Sequence, residues 1–119
     1  MVGVCGAGMA GLALMLKNAG FEVTGCDAVP NETAEWLKSN GIEVFAGHDP
    51  VHVTPNTLFI VRSAAIPEDH EEFGRAHEIG VETYSRGETL SRMVGEGSVA
   101  VAGTHGKTTT SAFITRILK

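Results

Sequence analysis

A chain of 119 residues, 43% hydrophobic and 19% charged, has enough material for one globular core and is too short for a nucleotide fold plus a separate substrate domain. Its net charge of −5 includes no block of like charges, so the basic footprint of a nucleic-acid partner is missing, whereas a small anionic ligand needs only local donors. No apolar run approaches the roughly 20 residues of a membrane span, and the apolar N-terminus lacks the basic flank of a signal peptide and is broken by Gly3, Gly6, Gly8 and Gly11. Cys5 and Cys26 are too few for a disulfide framework and are expected as reduced thiols in a cytoplasm.

The elements alternate. Residues 1–5 read as a short strand running into glycines, and 9–18 as a helix with Met9, Leu12, Ala13 and Leu16 at helical spacing. Residues 21–26 alternate as a strand. Asn31 caps a helix through Ser39, with Ala34 and Leu37 inward. A strand at 42–45 and a proline-containing loop at 48–56 follow. Residues 58–61 are apolar throughout, as in a parallel strand covered on both faces. Pro67 opens a helix that Gly80 ends, with Glu68 and Asp69 in its first turn. A strand at 81–84, a helix at 88–94, a strand at 99–102 and a helix at 107–118 complete the chain. The class is therefore α/β: a Rossmann-like, doubly wound parallel sheet in three α/β/α layers. The glycine turn at 95–97 is the best boundary. It divides a nucleotide-binding domain at 1–95 from the first strand, loop and helix of a second domain at 96–119.

Two glycine-rich loops carry the chemistry. Gly6-Ala7-Gly8-Met9-Ala10-Gly11 fits G-x-G-x-x-G between a strand and a helix, and Asp27 follows at the end of the next strand, about 20 residues on. Such a loop lets backbone N–H groups approach a pyrophosphate at a helix N-terminus, with the acid placed for a ribose or base edge. At the other end, Gly103-Thr104-His105-Gly106-Lys107-Thr108-Thr109 follows a strand and opens a helix. Its amides would cradle phosphates, Lys107 would reach the β- and γ-oxygens, and the Thr108 hydroxyl would ligate Mg²⁺. Val101 stands where the usual G-x-x-x-x-G-K-T pattern has its first glycine. A phosphate loop opens an ATPase domain whose acidic Mg²⁺ ligand comes from a later strand. The second loop is thus expected to be half a site.

The first loop, within Gly3-Val4-Cys5-Gly6-Ala7-Gly8-Met9-Ala10-Gly11, resembles the N-terminal loop of the Mur ligases, and Ala102-Gly103-Thr104-His105-Gly106-Lys107-Thr108-Thr109 is similar to their ATP loop. Gly47-His48, Ser63-Ala64-Ala65-Ile66-Pro67, and Arg86 with Glu88 and Leu90 agree as well. The likeness spans the whole chain but about the first quarter of such an enzyme. It favours the branch that adds L-alanine and leaves the murein-tripeptide recycling branch open.

The resemblance implies that Gly6, Ala7, Gly8 and Met9 hold the pyrophosphate of UDP-N-acetylmuramate. Asp27 and His48 would face the uridine, and Ser63, Ala64 and Ala65 would line the nucleotide–sugar site. Arg86, steadied by Glu88, would meet the diphosphate or sugar. Gly103 to Thr109 would bind ATP, with Lys107 and Thr108 serving phosphoryl transfer to the muramate carboxylate before L-alanine attacks. The implied context is peptidoglycan synthesis, and residues 1–119 alone are expected to be inactive. The chain departs from the family at Cys5 (a glycine), Ala10 (a serine), Arg62 (apolar or serine) and His70 (an asparagine).

Two other readings stand beside this one. A nicotinamide-binding oxidoreductase domain explains Gly6 to Asp27 but not the second loop. A nucleotide-sensing or assembly module, self-associating through the C-terminal segment, explains both loops without catalysis. His48 with His52, or His70 with His77, has the look of a metal pair, but no cysteine or acid clusters with either in sequence. His52, His70 and His77 therefore read as solvated.

Overall fold

The computed structural model describes residues 1–95, 98, 100 and 102–117. In chain order its elements are α1 (Ala7–Asn18), β1 (Thr24–Asp27), α2 (Glu32–Ser39), β2 (Glu43–Ala46), a 3₁₀ turn (Pro50–His52), β3 (Phe59–Arg62), α3 (Glu71–Glu78), β4 (Glu82–Ser85), α4 (Arg86–Met93) and α5 (Lys107–Ile117).

Two parallel strand pairs, β1 with β2 and β3 with β4, are joined through the N-terminal segment. Val2 bridges Cys26 on one side and Arg62 on the other, in parallel with both. The Val2 amide donates to the Val61 carbonyl at 2.9 Å, the Val2 carbonyl accepts from Ser63 at 3.0 Å, and Gly3 donates to Cys26 at 2.9 Å. The order across the sheet is therefore β2, β1, the Val2 segment, β3, β4, that of a dinucleotide-type doubly wound fold. The expected strand at 1–5 shrinks to this one bridging residue. Gly3 has φ +74°, and a Cβ there would lie 2.9 Å from that of Ser63, so the chain turns out of the sheet at a place only glycine fits.

The strands face two helical layers. Over one face, α1 sets Met9, Leu12 and Leu16 on Val61, with Leu90 and Met93 of α4 beside them. On the same face Ala10 and Ala13 of α1 meet Ala34 and Leu37 of α2, together with Val4, Ile42 and Val44. On the opposite face Phe73 and Ala76 of α3 cover Val2, Cys26, Val53 and Ile60. These are the three expected layers, and period-2 alternation assigns neighbours such as Ile60 and Val61 to opposite cores.

α3 begins later than expected, at Glu71, because His70 rather than Pro67 sets its start. The His70 Nδ1 accepts from the Glu72 amide at 3.3 Å, and the chain before it is a turn closed by His70 on the Pro67 carbonyl. The expected strand at 99–102 includes Val99 and Val101, which lie outside the described residues. α5 follows it as expected, with no buried residue along its length.

Candidate functional site

The carboxyl ends of all the parallel segments converge on one edge, where ligands bind in doubly wound sheets. The first glycine loop leaves the Val2 segment there. Asp27 ends β1, Gly47 and His48 follow β2, Ser63 to Ala65 follow β3, and Arg86 follows β4.

The loop leaves backbone donors without protein partners. Gly6 is the N-cap of α1 and offers no side-chain acceptor, and no acid stands in the first turn. The amides of Met9 and Ala10 are taken by the Gly6 carbonyl at 2.9 Å each. The Ala7 and Gly8 amides donate to no protein acceptor among the described residues. By contrast α2, α3 and α4 are capped by Asn31, His70 and Ser85. An uncapped helix start leaves donors and partial positive charge for a ligand. Arg86 adds a full charge, since its guanidinium lies across Gly8. A Cβ on Gly8 would sit 2.9 Å from Nη1 and 3.1 Å from Cζ, so the second glycine makes room for the arginine.

Asp27 ties this loop down. Its Oδ2 accepts from the Cys5 amide at 3.0 Å and its Oδ1 from Val29 at 3.2 Å. Ser63 Oγ accepts from Ala65 at 3.3 Å, holding the Ser63–Ala65 turn beside the loop, with Ala64 and Ala65 exposed. Met9 is a core residue, so of the matched loop positions it supplies packing rather than a ligand-facing side chain. Glu88 does not pair with Arg86 among the described residues. It closes a capping box in which its Oε2 accepts from the Ser85 amide at 2.7 Å and Ser85 Oγ accepts from its own amide at 3.2 Å. Those Ser85 bonds hold the Glu88 carboxyl below its usual range.

His48 turns inward. Its Nδ1 lies 3.3 Å from Cys26 Sγ and 3.3 Å from Glu72 Oε2. Glu72 is only 1% exposed and also meets His52, whose Nδ1 is 2.9 Å from Oε1. The Cys26 thiol donates to both Glu72 oxygens at 3.3 Å. Burial, then the Glu72 charge, push that thiol up to about 12. The expectation of solvated histidines thus holds for His77, which is exposed, and fails for His52 and His70, because the fold brings the buried acid Glu72 to both. Glu72 was missed in sequence. Its only signal is position, since Glu72 shares a helix face with Ala76 and Ile79. Cys5 and Cys26 are both buried free thiols.

The second loop is a different object. Gly106, at φ +75°, turns the chain so that Lys107 opens α5, whose first turn has no acid. Lys107 Nζ folds back to donate to the Gly103 carbonyl. Thr104 to Thr109 are all exposed. An acid-free helix start with a lysine curled over the loop fits a nucleotide phosphate.

Residues 1–97 match the family described as "Mur ligase family, catalytic domain". The chain belongs to the Mur ligase family. Among curated relatives, it is 42% identical to a UDP-N-acetylmuramate–L-alanine ligase of Streptomyces avermitilis, over 95% of this chain and 25% of that protein. The ligase of the same name from Persephonella marina is 40% identical, over 98% of this chain and 26% of its own length. Among solved structures, the UDP-N-acetylmuramate-alanine ligase of Thermotoga maritima superposes with a TM-score of 0.84 at 31% identity, over 98% of this chain and 28% of that one. A murein peptide ligase of Psychrobacter arcticus gives 0.86 at 32% identity, over 98% and 25%. The chain thus spans about a quarter of the length of the Mur ligases it matches. No helix among the described residues is long and apolar enough to cross a membrane.

Proposed function

We propose that this chain is the substrate-nucleotide part of an ATP-dependent ligase that joins L-alanine to UDP-N-acetylmuramate in peptidoglycan synthesis. The observation that carries this reading is the meeting of an uncapped α1 N-terminus with the Arg86 guanidinium over Gly8, which favours a diphosphate on the carboxyl edge of the sheet. Ala7 and Gly8 donate to the diphosphate from the backbone, Arg86 neutralises it, and the Ser63–Ala65 turn borders the sugar. Asp27 holds the loop through Cys5 and keeps lone pairs for the uridine side, with His48 turned away behind it toward Cys26 and Glu72. L-Alanine is favoured over a murein peptide by the names of the curated relatives at about 40% identity.

Residues 1–95 form the domain that binds the sugar nucleotide, and 96–119 begin the ATP-binding domain. The second loop supports this division, because α5 buries nothing and leaves Phe113 and Ile117 exposed, as a helix awaiting the rest of its own sheet would, or a second copy of the chain. ATP with Mg²⁺ supplies the phosphoryl group and its charge neutralisation when bound. Lys107 positions the β- and γ-oxygens, and Thr108 offers its hydroxyl to the ion. No carboxylate cluster borders Thr108 among the described residues, so residues 1–119 alone are expected to bind the sugar nucleotide without turning it over. A nucleotide-activated precursor and an ATP requirement place the work in the cytoplasm, in service of cell-wall growth, cell shape and division.

Calorimetry with UDP-N-acetylmuramate, NAD and ATP tests the binding claim: preference for the UDP-sugar is expected, and micromolar NAD binding alone overturns it. Phosphate release with UDP-N-acetylmuramate, L-alanine, ATP and Mg²⁺ tests the second claim, which robust turnover would sink.

A further inference from the structure

We propose that Cys26, His48 and Glu72 form a binding site for a zinc-like transition-metal ion that clasps the β1–β2 end of the sheet to α3. The three donor atoms form a triangle. Cys26 Sγ to His48 Nδ1, Cys26 Sγ to Glu72 Oε2 and His48 Nδ1 to Glu72 Oε2 are each 3.3 Å. A point over the centre of such a triangle is about 2 Å from every corner, the bond length of zinc to nitrogen and oxygen, with sulfur slightly longer. The edges also match the spacing between neighbouring ligands of a tetrahedral ion. One thiol, one imidazole and one carboxylate make a mixed set that suits zinc or cobalt and excludes magnesium or calcium, which take oxygen shells.

The surroundings support an ion as well. Glu72 is buried to 1% exposure, and its partners among the described residues are a thiol and three imidazoles, with no lysine or arginine. The Met1 ammonium acts on Glu72 from a distance but forms no ion pair with it among the described residues. A dry carboxylate without a directly contacting counter-charge is costly, and a divalent cation in the triangle supplies one. His52 has a second role ready. Its Nδ1 meets Oε1 at 2.9 Å, the carboxylate oxygen away from the triangle edge to His48, and so orients the ligand from outside. The His52 ring is held in turn by stacking on Phe45 at 4.7 Å between centroids. The His70 Nδ1, occupied by the Glu72 amide, stands 3.8 Å from Oε2 and borders the site without joining it. Water takes the fourth position. On binding, the Cys26 thiol proton leaves to solvent and the sulfur–metal bond replaces it.

The three ligands come from the end of β1, the loop after β2 and the first turn of α3. They are far apart in sequence, so an ion here braces the fold. Cys26 also precedes Asp27, which anchors the first glycine loop through Cys5. The site therefore acts as a structural support behind the ligand-binding edge, separate from the Mg²⁺ expected at the second loop.

The test uses the full chain, stripped with a chelator and titrated with Co²⁺. One ion per chain and a thiolate-to-cobalt charge-transfer band in the near ultraviolet are expected. Zn²⁺ should abolish the band by displacement and raise the melting temperature by several degrees. The band should vanish in Cys26→Ser and survive in Cys5→Ser. A native chain that gives no such band, or a band that persists in Cys26→Ser, overturns the proposal. Because the native spectrum alone decides the first point, misfolding of the Cys26 variant does not protect the idea. A second variant, Glu72→Gln, should weaken Co²⁺ at least tenfold, and unchanged affinity also overturns it.

Discussion

The two glycine loops look alike in sequence and differ in almost everything that surrounds them. The first is set into a finished sheet: Asp27 grips its Cys5 amide, Arg86 covers Gly8, and α1 behind it buries Met9, Leu12 and Leu16. The second stands at the start of a helix that buries nothing, and among the described residues its lysine bonds only its own loop. A phosphate loop is a local motif, but its affinity depends on a frame that holds the donors in place before the ligand arrives. The first loop has that frame within these residues, whereas the second keeps its motif without one.

The largest contrast should appear in stability. Leu12→Ala, in the helix behind the first loop, should cost about 2–5 kcal/mol in urea unfolding, the range for a buried leucine. Phe113→Ala in α5, at 67% exposure, should change it by less than about 0.5 kcal/mol. Equal losses would break the comparison. Next in size is ligand binding. Arg86→Ala should weaken UDP-N-acetylmuramate by roughly 10- to 100-fold, the worth of a charged hydrogen bond, and Lys107→Ala should leave that affinity unchanged. Smaller again, Asp27→Ala should cost about 1–2 kcal/mol through the Cys5 and Val29 amides it leaves unpaired. It should also lower sugar-nucleotide affinity, because the loop loses its tether. The smallest effect is expected at Ser85→Ala, which opens the capping box of α4 for about 1 kcal/mol and sharpens how firmly Arg86 is presented.

Much of this edge was legible beforehand. Alternating strands and helices carry the doubly wound class, and G-x-G-x-x-G with Asp27 points to the candidate site proposed at the end of the first strand. The spacing did not reveal what Asp27 does in the folded chain. An acid at that position can serve a ribose or a neighbouring amide, and only the fold brings the Cys5 amide within 3.0 Å. Glu88 taught the same lesson, for its partner is the Ser85 amide three residues away rather than the arginine beside it. The cluster around Glu72 was invisible because its members come from four separate segments, and periodicity reports a face without saying what lies opposite it. The start of α3 differs from the sequence expectation for a local reason: Pro67 is a good first-turn residue, but the imidazole of His70 supplies the cap.

The most direct measurement of the central claim is a backbone amide NMR titration of the full chain with UDP-N-acetylmuramate. The account predicts that the Ala7 and Gly8 resonances shift most, with those of Gly103 to Lys107 still. Shifts centred on Gly103 to Lys107, or none at Ala7 and Gly8 at saturating ligand, would contradict it.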